Sequence, residues 1–347
     1  MAYTTINKST DYFNTKLYTG NGGTQTITGV GFQPDFTWVK GRNHAYYHYL
    51  QDVVRGSQNI LYTNNTDSQA TITAGISAWN ADGYVTGSQG ALNYNGRTFV
   101  AWNWKAGGAG SANTDGSINS TVSVNQTAGF SIVKWTGNNT AGATVGHGLG
   151  SIPKIVIVKN SQQSGYDWVM YHASLGNTKR IWLNLTNAES TNTSSWNNTT
   201  PSSSLFTLGS SGETNGSGEM IGYCFAEKQG YSKFGSYKGN GNADGTFIYT
   251  GFKPAFVLAK KTNEANTSWI MLDNKRLTSF NPIEVRMFAN VSSAEDDINT
   301  SYCDLVSNGF KIRNADNNIN DANDTYIYMA FAEAPLVGTN DVTAKAR

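Results

Sequence analysis

The chain has 347 residues, with 25 basic and 24 acidic side chains and a net charge of +1, so it lacks the basic surplus that binding to nucleic acid calls for. No apolar stretch approaches the roughly 18 residues of a membrane-spanning helix, which excludes membrane insertion by that route. Only 14 % of residues are charged and 12 % are aromatic, and the remaining polarity is Asn, Thr, Ser and Gly, a balance that predicts an all-β protein.

Residues 1–10 (MAYTTINKST) carry no apolar signal core and read as an N-terminal attachment segment on a chain made in a cytoplasm. Residues 11–106 follow with short runs such as KLYTG, TQTITGV, DFTWVKG, AYYHYLQD, NILYTN, GYVTG and RTFVAWNWK. Each run is rich in β-branched and aromatic residues and is bounded by Gly, Asn, Asp or Pro, which predicts an antiparallel sandwich. Residues 107–127 (GGAGSANTDGSINSTVSVNQT) read as a flexible or loosely packed linker. Residues 128–227 supply GFSIVKWTG, TVGHGLG, KIVIVKN, DWVMYH, RIWLNLT, LFTLG and MIGYCFAE. After the three residues KQG, residues 231–335 supply SKFGSYKG, TFIYTGF, AFVLAKK, SWIMLDN, VRMFANV, GFKIRNA and TYIYMAFAE. So short a junction predicts that these two stretches pack as one unit. Residues 336–347 are a C-terminal tail.

Three landmarks recur in order. An aromatic, any residue, then Gly-Asn begins at Tyr18, Trp135 and Tyr237. A proline opens an apolar run at Pro34, Pro153 and Pro254, where it is expected at the start of a strand. A closing aromatic strand ends at Ala106, Glu227 and Glu333. Repetition of order and spacing makes the chain a tandem array. The fold class expected is all-β: three tandem antiparallel β-sandwich (jelly-roll or lectin-like) modules of about 100 residues, each with its own core. A further signature places Asn64, Asn184 and Asn290 two residues before a hydroxyl, followed by Gln69, Glu189 and Glu295. It reads as an Asx-turn lock at a strand end.

Little in the chain points to catalysis. Glu295, Asp296 and Asp297 are consecutive, so they cannot share a strand face as a glycosidase pair must share a cleft. No nucleophile elbow occurs, and no Cys or carboxylate sits at ligand spacing from His44 and His48. Cys224 and Cys303 are too few for a disulfide framework, and Cys224 reads as a buried thiol. No cofactor is expected. Asp316, Asn318 and Asn320 match the first positions of a calcium loop, but Asp321 and Ile327 stand where glycine and a bidentate glutamate belong, which makes calcium the minority reading of a polar hairpin turn. Trp79, Tyr94 and Trp196 sit in polar surroundings and are the candidate ligand contacts.

The strings GFSIVKWTGN, TVGHGLG, PKIVIVKN, WNNTTPSSSLFTLG, CFAEKQGYSKFGSYKGNG and TGFKPAFVLAKK resemble repeats in structural proteins of tailed bacteriophages, particularly marine ones. FQPDFTWVKGR, DVVRG and FVAWNWKAG in the first module are similar to the same group. The likeness runs from about Asp11 to Pro335 and supplies no catalytic residues. It implies a non-enzymatic virion structural protein on the outer surface of the particle, such as a displayed appendage or tail fibre that contacts host-surface glycans. The partners it implies are other virion proteins and further copies of the chain, a trimer being one option. Two other readings stay open: a head decoration or tail-joining protein that binds only virion proteins, and a polysaccharide depolymerase.

Overall fold

The computed structural model describes residues 4–276 and 281–337. Part of the expected attachment segment and nearly all of the expected tail lie outside the described residues. The chain is an all-β protein of three antiparallel sandwiches, in line with the repeated sequence. In the first module, one sheet orders its strands as Phe13–Thr19, Thr98–Trp104, Phe36–Gly41, Tyr49–Asp52, Asn59–Tyr62 and Ala70–Thr71. A small sheet of Gln25–Thr28, Gly83–Thr86 and Ile76–Asn80 covers one of its faces. The third module repeats both sheets, and the second repeats the large one over a two-stranded cover.

The closing strands show why the modules are not independent. In Thr325–Pro335, Tyr326, Tyr328, Ala330 and Ala332 pack into the third sandwich. The alternate residues Ile327, Met329 and Phe331 enter a second core, shared with Val100, Trp102 and Trp104 of the first module and Ile221, Tyr223 and Phe225 of the second. Side chains on a strand alternate between faces, so each large sheet buries both. Its inner strands are therefore apolar without alternation: every residue of Ile155–Asn160 is buried, and so is every residue of Phe252–Lys261. The three large sheets thus enclose a common aromatic core, and three private cores lie outside it.

Polar contacts close the ring in one direction. The backbone N–H of Gln69 donates to Ser161 O, that of Glu189 to Thr262 O and that of Glu295 to Arg42 O, each at 2.7 Å. These join the first module to the second, the second to the third and the third to the first. The same three junctions carry a ring-nitrogen contact: Trp168 Nε1 to Tyr62 O at 2.8 Å, Trp269 Nε1 to Trp182 O at 2.8 Å, and His48 Nε2 with Phe288 O at 3.0 Å. Each junction also holds a buried lysine. Lys159 reaches Thr66 O, Lys260 reaches Thr186 O and Lys40 reaches Ser292 O, at 3.3, 3.5 and 3.1 Å. The chain is a pseudo-threefold body whose modules occupy equivalent places.

Several local expectations change. Residues 107–127 are not a loose connector, because Ser111–Asn113 and Ser120–Asn125 extend the second module's large sheet. Val122 is buried in the second sandwich and Val124 packs against it, an alternation that the Ser/Thr-rich context masked. Pro34 and Pro153 precede strands as expected, whereas Pro254 lies within one at an irregularity in its pairing. Asn64, Asn184 and Asn290 do not lock their own turns: their Oδ1 atoms accept the backbone N–H of His48, Trp168 and Trp269, which fixes the residues that make the ring-nitrogen contacts.

The Gly-Asn landmark has a steric cause. A Cβ on Gly20, Gly137 or Gly239 would lie 2.3, 2.0 or 2.1 Å from a backbone oxygen of the loop it crosses. The asparagine that follows then docks on a buried partner, as Asn240 does on Asn320.

Candidate ligand-contact surface

The three sequence candidates fall in different environments. Trp196 is only 1 % exposed and belongs to the second sandwich's core, edge-to-face with Tyr171 at 5.9 Å. It closes the short helix Thr193–Trp196, and Asn197 then turns the chain through a left-handed conformation (φ 49°). The polar residues of that loop turn outward and the indole turns in, so Trp196 is withdrawn as a ligand contact. Trp79 is half-buried against the first sandwich's core. Tyr94 remains on the surface at 51 % exposure.

Tyr94 follows the helical turn Gly90–Asn93, which positions it. The Arg97 guanidinium lies 6.0 Å from the centre of its ring. A Cβ on Gly90 would lie 3.5 Å from Tyr94 Cδ2 and 3.6 Å from Tyr46 Oη, so the two tyrosines flank one bare backbone position. Tyr46 is also edge-on to His44, at 4.4 Å. Nearby in sequence, Tyr47 is 48 % exposed and packs on Tyr62 at 5.1 Å. The run HAYYHY thus divides its labour: His48 enters a module junction, Tyr49 enters the core, Tyr47 lies on Tyr62, and Tyr46 forms a rim with Tyr94 and Arg97. Aromatic faces beside a guanidinium are suited to stacking on a sugar ring while donating to its oxygens.

The calcium candidate is a structural turn. Asp316 accepts from Arg286 at 2.6 Å, from the Asn318 backbone N–H at 2.8 Å and from Tyr302 at 3.3 Å. Asn318 Oδ1 accepts from the Ser268 N–H at 2.7 Å. Asn320 is fully buried; its Oδ1 accepts from the Asn240 N–H, and its Nδ2 sits among Asn240 Oδ1, Asn242 O and Asn314 O. Asn93 and Asn215 make the equivalent contacts in the other modules. The oxygens a cation would need are already taken by protein donors, so calcium is withdrawn at Asp316, Asn318 and Asn320.

Glu264, Asp321 and Asp324 do converge, with ligand oxygens within 4.8 Å of one another. The Lys261 ammonium sits among them at 3.1, 3.0 and 2.5 Å and takes the place of a cation. Burial works against its charge, but the hydrogen bonds it donates to Asp324, Asp321 and Glu264 raise its pKa above the ordinary lysine value.

Two buried carboxylates and the partly buried Glu295 are consumed likewise. Asp52 pairs with Arg55 and Asp273 with Arg276, each at 2.6 Å with both partners wholly buried. Glu295 bridges Arg276 and Arg42 at 3.0 and 2.8 Å, rather than lying in a solvated loop. The position of Asp52 and Asp273 is taken in the second module by His172, whose Nε2 lies 3.3 Å from Tyr328 O and whose pKa burial lowers to about 4.

Besides Tyr47, sequence reasoning missed the exposed aromatics Phe247 and Tyr249, at 44 % and 55 % exposure. They were visible only as part of an ordinary strand, TFIYTGF. Aligned on the buried Ile27 and Ile248, they stand where the first module has Thr26 and Thr28.

A family model described as Domain of unknown function (DUF7483) matches residues 8–335. No curated protein and no solved structure matches the chain.

Proposed function

This chain belongs to the DUF7483 family, and we propose that it is a non-enzymatic bacteriophage virion protein, a displayed appendage or tail fibre that touches host-surface glycans. The observation that carries this reading is the rim of Tyr94, Tyr46 and Arg97 on a frame that pins it in place. The buried acids Asp52 and Asp273 and the partly buried Glu295 are each tied to an arginine, which supports a role in holding the body together rather than in cleaving a glycosidic bond. Its partners in this reading are other virion proteins, further copies of the chain and a host-surface glycan, and its place is the outer surface of the particle.

The test is adsorption to host cells by purified chain and by Tyr94→Ala. Specific adsorption that falls in the variant at unchanged melting temperature supports the reading, and wild-type adsorption no greater than that of an unrelated protein of the same size refutes it.

A head decoration or tail-joining role is the second reading. The pseudo-threefold ring favours it, because one chain presents similar surfaces around an axis. Particles lacking the protein would then be fragile but adsorb normally. A depolymerase is the third reading, and sustained release of reducing sugar from host polysaccharide would establish it in place of the others.

A further inference from the structure

We propose that the outer sheet of the third module is a second, separate binding platform, and that its ligand is a neutral polysaccharide. This rests on the glycan-contact reading above but on a different module from Tyr94.

The strand Phe247–Tyr249 is the edge of a three-stranded sheet, followed by Gly309–Ile312 and then Cys303–Val306. Ile248, Phe310 and Leu305 face the sandwich core and are buried. Their neighbours face outward. The pairing sets Phe247, Lys311 and Asp304 in one row and Tyr249, Gly309 and Val306 in the next. Alternate residues on a strand are about 7 Å apart, so the two rings flank a space suited to a sugar ring.

As Gly83 is in the first module, Gly309 is left bare by a close backbone approach. A Cβ there would lie 2.1 Å from Ile248 O and 3.1 Å from Phe247 Cε2, so the Phe247 ring already leans towards the bare position. Beyond it a shallow cleft continues, lined by Pro282, Ser301, Asp304, Val306 and Arg313.

The other modules act as internal controls. Ile27, Val145 and Ile248 are all buried at the centre of the equivalent strand. Their outward neighbours are Thr26 and Thr28 in the first module, Thr144 and Gly146 in the second, and Phe247 and Tyr249 in the third. The sandwich therefore needs the central residue and not the two aromatics. Large rings held in water on an edge strand, where the fold accepts threonine, point to a ligand.

The charges around the rings choose the ligand class. Lys311 pairs with Asp244 at 2.8 Å and Arg313 with Asp304 at 3.5 Å. The rim is thus balanced: it offers guanidinium and ammonium donors and carboxylate acceptors in equal number. Vicinal hydroxyls, which both donate and accept, match such a rim, and the aromatic faces take the C–H face of a pyranose. A polyuronate would bring negative charge with no surplus cation to meet it.

Affinity electrophoresis of the full chain in gels containing laminarin or dextran (both neutral) or alginate (anionic) tests this. The neutral polymers should retard the wild type, and Phe247→Thr with Tyr249→Thr, which installs the first module's residues, should weaken binding by about tenfold or more at unchanged melting temperature. Tyr94→Ala should keep this retardation. Equal retardation of the double variant overturns the platform, as does retardation in alginate alone or no wild-type retardation in either neutral gel. Loss of binding in Tyr94→Ala but not in the double variant would leave glycan contact standing at the first module and remove it from the third. Self-association of the wild type that the double variant abolishes, without retardation by any polymer, would make the face a protein interface instead.

Discussion

Trp102 in the first module donates its indole N–H to Asp273 in the third, at 3.0 Å. Tyr223 in the second module donates its hydroxyl to Asp52 in the first, at 2.7 Å. Both acceptors are buried carboxylates already held by an arginine three residues on. Asp273→Ala would break the buried pair and leave the Arg276 guanidinium with Glu295 as its remaining carboxylate partner, and is expected to cost about 3–5 kcal/mol. Trp102→Phe leaves the ion pair intact and should cost less, about 1.5–3 kcal/mol, for a lost hydrogen bond to a charged group. Urea denaturation of the two variants gives the ranking, and a larger loss for Trp102→Phe would contradict this account of the junction.

The shared core makes unfolding cooperative. Val100, Trp102 and Trp104 would be exposed in an isolated first module, together with their partners Phe36 and Trp38. The full chain is expected to melt in one calorimetric transition, with matching calorimetric and van't Hoff enthalpies. Residues 1–106 alone should bind a hydrophobic dye or aggregate. Three resolved transitions would mean that the private cores dominate.

Stability should rise with pH well beyond neutrality. Burial lowers Lys40 and Lys159 to about 8 and Lys260 to about 7, whereas an unfolded lysine titrates at about 10.4. From about pH 7 to 10 the unfolded chain then binds more protons than the folded one, so raising the pH favours folding. The buried histidines act in the same sense in acid. Burial holds His48, His147 and His172 below the ordinary histidine value, so stability falls as pH drops below about 6.5. Tyrosines set the upper limit: burial raises Tyr84, Tyr223 and Tyr302, so above about pH 10 the unfolded chain ionises first and is favoured. The melting temperature should peak between about pH 9 and 10, and Lys260→Met should flatten the rise. A steady decline from pH 7 to 9 would refute the assignment.

Asn320 should be structural whether or not calcium is present. Asn320→Ala removes the buried amide that holds Asn240 and is expected to lose about 2–4 kcal/mol. Gly239→Ala should be of similar severity, because its Cβ would meet Asp321 O at 2.1 Å. Both losses should be equal in calcium and in chelator when followed by thermal melting. A wild-type melting temperature that drops in chelator would restore a metal.

The two thiols should be silent in the native protein. Both are buried and unbridged. Burial pushes Cys224 up to about 12, and Cys303 is raised as well. Neither should react with a disulfide reagent at pH 8 until denaturant is added, when both should.

The surface candidates were only partly legible, because exposure depends on which way a loop turns. Trp196 and Tyr94 sit in equally polar strings, yet the Trp196 ring fills a core and the Tyr94 ring meets solvent. Phe247 and Tyr249 look like any apolar strand until the buried Ile248 between them shows that they face outward. A line-by-line comparison of the repeats would have flagged them, since threonine holds the same positions in the first module. Likewise, an unbroken apolar run such as KIVIVKN signals a sheet buried on both faces, and that was the available sign of the shared core.

Period, composition and turn chemistry determined the local plan: strand-forming segments, glycines where backbones cross, and the same module written three times. These follow from short-range sterics and side-chain alternation, which a single sequence carries in full. The closing of three modules into a ring was settled by tertiary structure alone. Ser161 meets Gln69, and Asp273 meets Trp102, across separations that no local rule constrains. Only burial of two faces per sheet, with polar contacts such as Tyr223 to Asp52 and Trp102 to Asp273 crossing between modules, selects that arrangement.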